Sequence, residues 1–73
     1  MVRIKYIGYL ADLVGKRKEE IQVKSPVKIK NILKLKNVDM EELVVLVNGR
    51  AGNLDTIVSG DDEISILPVI SGG

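Results

Sequence analysis

Apolar and polar residues alternate from the first residues of the chain. Val2, Ile4 and Tyr6 are separated by Arg3 and Lys5, the two-residue period of a strand with one buried face. Gly8 marks the end of that strand or a close approach of another backbone. In the next stretch Leu10, Leu13 and Val14 recur at spacings of three and four, which predicts a single helical turn closed by Gly15. The charged run Lys16-Arg17-Lys18-Glu19-Glu20 comes next. A second strand is predicted over Glu20 to Lys24 with Ile21 and Val23 inward, making a hairpin with the first. Ser25-Pro26 reads as a helix start, with serine capping free N–H groups and proline at the first helical position. Ile29, Ile32 and Leu33 then recur with lysines between them, so the pattern predicts a helix from Val27 to Lys36, its apolar contact extended by Leu35 and Val38.

Asp39-Met40-Glu41-Glu42 reads as a capped turn. Leu43 to Val47 is an unbroken apolar run rich in valine, expected as a central strand buried on both faces. Asn48-Gly49 is a strong turn signal. Ala51 to Gly60 reads as a loop anchored by Leu54, Ile57 and Val58, and Gly60-Asp61-Asp62 as another turn. The last strand is predicted over Glu63 to Ile70, with Ile64, Ile66 and Pro68 on one side. A helix after a hairpin must cross the sheet to cover its apolar face, and the final strand must return beside the first, in the centre. The expected architecture is therefore α+β: a mixed sheet of four to five strands with one main helix across one face.

Composition narrows the chemistry. Seventy-three residues with 45% hydrophobic content make one globular domain. With only two tyrosines as aromatics, the core must be aliphatic. The chain has no cysteine and no histidine, which removes disulfides and the common metal-ligand spacings. The acid clusters Asp39-Glu41-Glu42 and Asp61-Asp62-Glu63 fall in turns, where solvated carboxylates are ordinary. No bound cofactor or metal is expected. Eleven basic and ten acidic residues nearly cancel, so net charge gives no reason to expect nucleic acid. Lys24, Lys28, Lys30, Lys34 and Lys36 form an acid-free stretch, read first as a solvated helix face and second as a docking patch for an acidic partner or for RNA, although with neither tyrosine inside it base stacking has no platform there. No apolar run approaches the ~18 residues of a membrane span, and the first residues lack the apolar region of a signal peptide, so a cytoplasmic protein without membrane contact is expected.

The most informative stretch is Leu67-Pro68-Val69-Ile70-Ser71-Gly72-Gly73. Glycine has no side chain, so such an end can thread a narrow channel and deliver the Gly73 carboxylate to another active site. The competing reading is a frayed end with two accidental glycines. Three segments carry a resemblance that favours the first: Ile4 to Gly15; Val45-Leu46-Val47-Asn48-Gly49-Arg50; and Asp55-Thr56, Gly60-Asp61-Asp62-Glu63 and the closing Leu67-Pro68 to Gly72-Gly73. Together they resemble the MoaD-like and ThiS-like sulfur carriers, ubiquitin-like proteins of β-grasp fold, and in particular the molybdopterin synthase small subunits. The chain departs from that family in lacking the usual phenylalanine of the first strand, whose space Tyr6, Ile7 or Tyr9 must fill.

The resemblance implies a β-grasp domain over residues 1–70 and a diglycine tail over 71–73. It implies a carrier rather than an enzyme, whose Gly73 is adenylated by an E1-like enzyme using ATP and Mg, then converted to a thiocarboxylate by a persulfide protein. The sulfur passes to a precursor in the molybdopterin synthase large subunit. Gly72 and Ser71 are the threading residues, and Leu67, Pro68, Val69 and Ile70 the partner-binding ones. Within the same chemistry, thiamine thiazole synthesis and tRNA thiolation are alternative recipients of the sulfur, and a ubiquitin-like modifier would join Gly73 to a lysine. A plain interaction module is the reading from another class.

Overall fold

The computed structural model describes residues 1–33, 35 and 42–69. Strand β1 (Val2–Tyr6) obeys its alternation, with Val2, Ile4 and Tyr6 buried and Arg3 and Lys5 on the outer face. Helix α1 (Tyr9–Val14) buries Leu10, and ends at Gly15 in a left-handed conformation whose N–H donates to the Ala11 carbonyl at 2.8 Å. Strand β2 (Lys18–Ile21) pairs antiparallel with β1, Val2 opposite Ile21 and Ile4 opposite Glu19. The expected hairpin forms, but β2 begins and ends earlier than Glu20 to Lys24. Its inward residues are Glu19 and Ile21, while Val23 lies beyond it. A carboxylate is tolerated inside because the Tyr6 hydroxyl donates to Glu19 Oε2 at 2.9 Å. Tyr6 therefore fills the inner space of the first strand, and Ile7 and Tyr9 remain exposed.

The helix predicted over Val27 to Lys36 does not form along its described part. Val27–Lys28 is instead strand β3, and Ile29–Asn31 is one turn of 3-10 helix. The same letters that carry helical spacing also alternate as Val27-Lys28-Ile29-Lys30, and two of the four are β-branched. The backbone resolves the choice. Ile29 N–H donates to Thr56 O at 3.0 Å and Lys30 N–H to Leu54 O at 2.9 Å, which ties this segment to a later one in extended form. Lys28 caps the 3-10 turn without a side-chain bond, so Ser25 is not a helix cap. Leu35 belongs to the core. Lys34, Lys36, Val38 and the turn expected at Asp39-Met40-Glu41 lie outside the described residues.

Strand β4 (Leu43–Val47) turns through Asn48 and Gly49 (φ 52° and 82°) into β5 (Arg50–Gly52). Both turn residues are left-handed, the twist that a two-residue hairpin requires. Strand β6 (Ile57–Val58) pairs with β3 in a separate small sheet. The segment Ala51 to Gly60 thus holds the end of β5 and all of β6 rather than a loop alone. Of its expected anchors Val58 is buried and Leu54 half-buried, whereas Ile57 is 61% exposed.

Strand β7 (Glu63–Pro68) closes the main sheet in the order β2-β1-β7-β4-β5. It runs parallel to β1 and antiparallel to β4, so the last strand is central, as expected. Only one sheet face carries the core of Ile4, Leu10, Ile29, Val45, Ile64 and Ile66 with their neighbours. For that reason β4 is buried on one face, not two: Val45 faces the core while Val44 is 40% exposed. This mixed five-stranded sheet with a helix is the expected β-grasp class. No helix among the described residues is long and apolar enough to cross a membrane.

Candidate functional site at the end of the central strand

Strand β7 is held on both sides almost to its end. Ile66 opposes Tyr6 on β1 and Val45 on β4, and Leu67 and Pro68 oppose Val44 and Leu43. Past the last ladder pair, Val69 N–H still donates to Glu42 O at 2.7 Å. Alternation sorts these residues. Ile66 is a core residue and nothing else. Pro68 lies half-buried on the inner side, its ring 3.5 Å from where a Cβ on Gly8 would sit. Leu67 falls on the outer face beside Val44, and Val69 is 45% exposed. Of the tail residues named from the sequence, Ile70, Ser71, Gly72 and Gly73 lie outside the described residues.

The outer face around Leu67 is apolar. Leu46 shares it from β4, and exposed Ile7 continues the outward series Arg3, Lys5 on β1. Val44, Leu46 and Ile7 were not singled out by the sequence. A continuous apolar run does not announce which face stays uncovered, and only the strand order shows that this one does. Uncovered aliphatic side chains side by side on a sheet are the usual mark of a contact surface.

The other end of the same face is charged. Arg3, Lys5, Lys18, Glu20 and Glu63 line a shallow groove of about 240 Å³, and Lys5 Nζ sits 3.0 Å from Glu63 Oε1. Interleaved signs give it no preference for anions or cations. Lys24, Lys28 and Lys30 are exposed, in the bend before β3, in β3 and in the 3-10 turn rather than along one α-helix face, with Lys30 Nζ 3.2 Å from Asp55 Oδ1.

The ThiS family model matches residues 4–73 of this chain. Similar solved structures support the fold. Small archaeal modifier protein 1 from Haloferax volcanii is 22% identical with a TM-score of 0.74, over 99% of this chain and 98% of its own. A protein described as molybdopterin converting factor subunit 1 from Pyrococcus furiosus is 19% identical with a TM-score of 0.73, over 94% and 97% of the two chains. The solution structure of small archaeal modifier protein 1 from Methanosarcina acetivorans is 22% identical with a TM-score of 0.70, over 99% and 95%.

Proposed function

The chain belongs to the ThiS family, and from that membership we propose that it is a sulfur carrier whose Gly73 carboxylate is activated and loaded by partner enzymes. The observation that carries the reading is the placement of β7. It is the central strand, paired with β1 as far as Ile66 and with β4 as far as Pro68, with a last bond from Val69 N–H to Glu42 O, and Ile70-Ser71-Gly72-Gly73 come next in the sequence. A strand anchored so firmly is well suited to present the residues attached to its end to another protein's active site.

Carboxylates are poor acyl donors because oxide is a poor leaving group. In the proposed cycle an oxygen of the Gly73 carboxylate attacks the α-phosphorus of ATP in an E1-like enzyme, with Mg held by that enzyme, and pyrophosphate leaves. The terminal sulfur of a persulfide protein then attacks the acyl carbon and AMP leaves. A second thiol of the partner breaks the resulting acyl disulfide, forming a protein disulfide and releasing the thiocarboxylate. That sulfur is donated to a precursor in a large subunit, with molybdopterin synthesis as the preferred pathway and the cytoplasm as the place. The chain itself acts as a carrier. Gly72 and Ser71 thread the partner's channel, while Leu67, Pro68, Val69 and Ile70 bear on its mouth.

The experiment is direct. Incubation with an activating enzyme, ATP and a sulfur source should exchange one oxygen of Gly73 for sulfur, read by intact mass. No exchange with a panel of such enzymes would overturn the reading. Similarity to small archaeal modifier proteins favours one second reading, in which adenylated Gly73 forms an isopeptide with a lysine. Lysine adducts in the same incubation, without sulfur exchange, would establish it instead.

A further inference from the structure

Asn48-Gly49 is the sequence most prone to backbone-assisted loss of a side-chain amide, because glycine leaves the attacking nitrogen unhindered. In this fold the asparagine is engaged on every side. Its N–H donates to Glu63 O at 2.8 Å. Its side-chain oxygen accepts from Glu63 N–H at 3.0 Å, and its side-chain nitrogen donates to Asp62 Oδ1 at 3.0 Å. Asp62 is held in turn, since its Oδ2 accepts from Ser59 N–H at 2.9 Å and its carbonyl from Arg3 N–H at 3.0 Å. The side-chain amide of Asn48 is thus spent on bridging the β4–β5 turn to the 59–63 turn.

We propose that Asn48 is a latent deamidation site, locked while it bridges these two turns and released when the bridge opens. With the bridge made, Cγ of Asn48 is held by Asp62 and Glu63 and cannot swing against the Gly49 nitrogen. With it broken, that nitrogen, its proton lost to solvent base, bonds to Cγ. The Cγ–Nδ2 bond breaks and ammonia leaves with a proton from solvent. Water then opens the five-membered imide at either carbonyl, giving aspartate or isoaspartate.

Reformation of the bridge is blocked in both products. Aspartate at position 48 has no donor for Asp62 and sets a second carboxylate against it. Isoaspartate adds a methylene to the backbone at a turn whose two left-handed residues (φ 52° and 82°) set the register of β5 on β4. The conversion is therefore a one-way mark on molecules in which the end of β4 has parted from the start of β7. It weakens the sheet from the end opposite Val69.

The test uses the intact protein at mildly alkaline pH, reading the amide-to-acid mass change in the peptide containing Asn48. The wild type should deamidate at least roughly tenfold more slowly folded than in denaturing urea, the ratio that ~1.4 kcal/mol of local closure gives. Asp62→Ala, still folded by circular dichroism, should recover most of the urea rate. Val58→Ala, destabilised at a buried site outside the bridge, should not. Equal rates for folded and urea-treated wild type would overturn the proposal. So would an Asp62→Ala rate equal to wild type, or equal acceleration by Val58→Ala, which would mean that global unfolding governs the reaction.

Discussion

Val69 donates its N–H to the carbonyl of Glu42 across 2.7 Å, one residue past the last ladder pair between β7 and β4. That bond fixes the end of the central strand at the rim of an outer face whose apolar members are Val44, Leu46, Leu67 and Ile7. If partners read this face, polar substitutions on it should separate binding from folding. Leu67→Asp and Val69→Asp should weaken the complex with an activating enzyme by ~1 to 3 kcal/mol, the range of contact residues near an interface centre. Thermal stability should fall much less, since neither residue is in the core. Titration calorimetry and thermal melts measure the two effects. Unchanged affinity in both variants would remove this face from the partner interface.

Gly8 should resist replacement for a backbone reason. Its φ of 67° and ψ of −143° fall near a region open almost solely to glycine. The chain must turn there from β1 into α1, with Pro68 packed alongside. Gly8→Ala should therefore cost ~1 to 3 kcal/mol. Gly15→Ala, at φ 90° with open space around it, should also be destabilising, but should leave the Pro68 contact untouched. Urea denaturation of the two variants checks the strain. A neutral Gly8→Ala would show that the turn relaxes freely.

The aliphatic core sets the scale of stability. A domain of this size is held by only ~4 to 11 kcal/mol at 0.05 to 0.15 kcal/mol per residue. Ile4→Ala and Ile66→Ala each remove a fully buried side chain and should cost ~2 to 5 kcal/mol, a large share of that total. Ile57→Ala, at the exposed position of β6, should change stability by no more than ~0.5 kcal/mol. Chemical denaturation of the three distinguishes them.

Tyr6→Phe tests the one carboxylate buried among the described residues. It removes the hydroxyl that donates to Glu19 Oε2, and loss of a buried donor beside a charged acceptor should cost ~1 to 3 kcal/mol. Adding Glu19→Gln to Tyr6→Phe should recover part of the loss, because an amide is cheaper to bury than a carboxylate that has lost this partner. Additive losses in the double variant would contradict the coupling.

The sequence made some of this plain and hid the rest for identifiable reasons. The alternation of Val2, Ile4 and Tyr6, the helical spacing after Gly8, and the turn at Asn48-Gly49 each had one consistent reading. The central place of β7 was expected from the return of the last strand beside the first, although the crossing helix invoked with it does not form along its described part. Val27 to Lys30 had two readings. Its letters satisfy both a helix and a strand, and the bonds to Leu54 and Thr56 that decide between them join residues far apart in the chain. Glu19 stood in the charged run before the expected strand, and nothing nearby announced its burial because its partner, Tyr6, sits 13 positions away. At the candidate site, Leu67, Pro68 and Val69 were named from the family resemblance, and the fold puts Leu67 and Val69 toward the outer face and Pro68 toward the inner one. Val44, Leu46 and Ile7 were not, because exposure of a sheet face depends on what covers the other one.

The acid limb of stability offers a last test, at Asp62. The Ser59 N–H first and the Asn48 side-chain amide second hold its carboxyl below the ordinary value of 3.8. A carboxyl whose folded value is depressed contributes stability that is fully present above its unfolded value and is lost as pH falls through the folded one. The contribution of Asp62 should thus be complete above 3.8 and fade below it. The group is at the surface, so the effect is small and screened by salt. Asp62→Asn should be less stable than wild type near neutral pH. The gap should narrow as both are acidified, because protonation takes from the wild type what the substitution has already removed. Thermal melts across the acid range give the difference directly. A gap that stays constant to the lowest pH would mean that Asp62 acts through its shape rather than its charge.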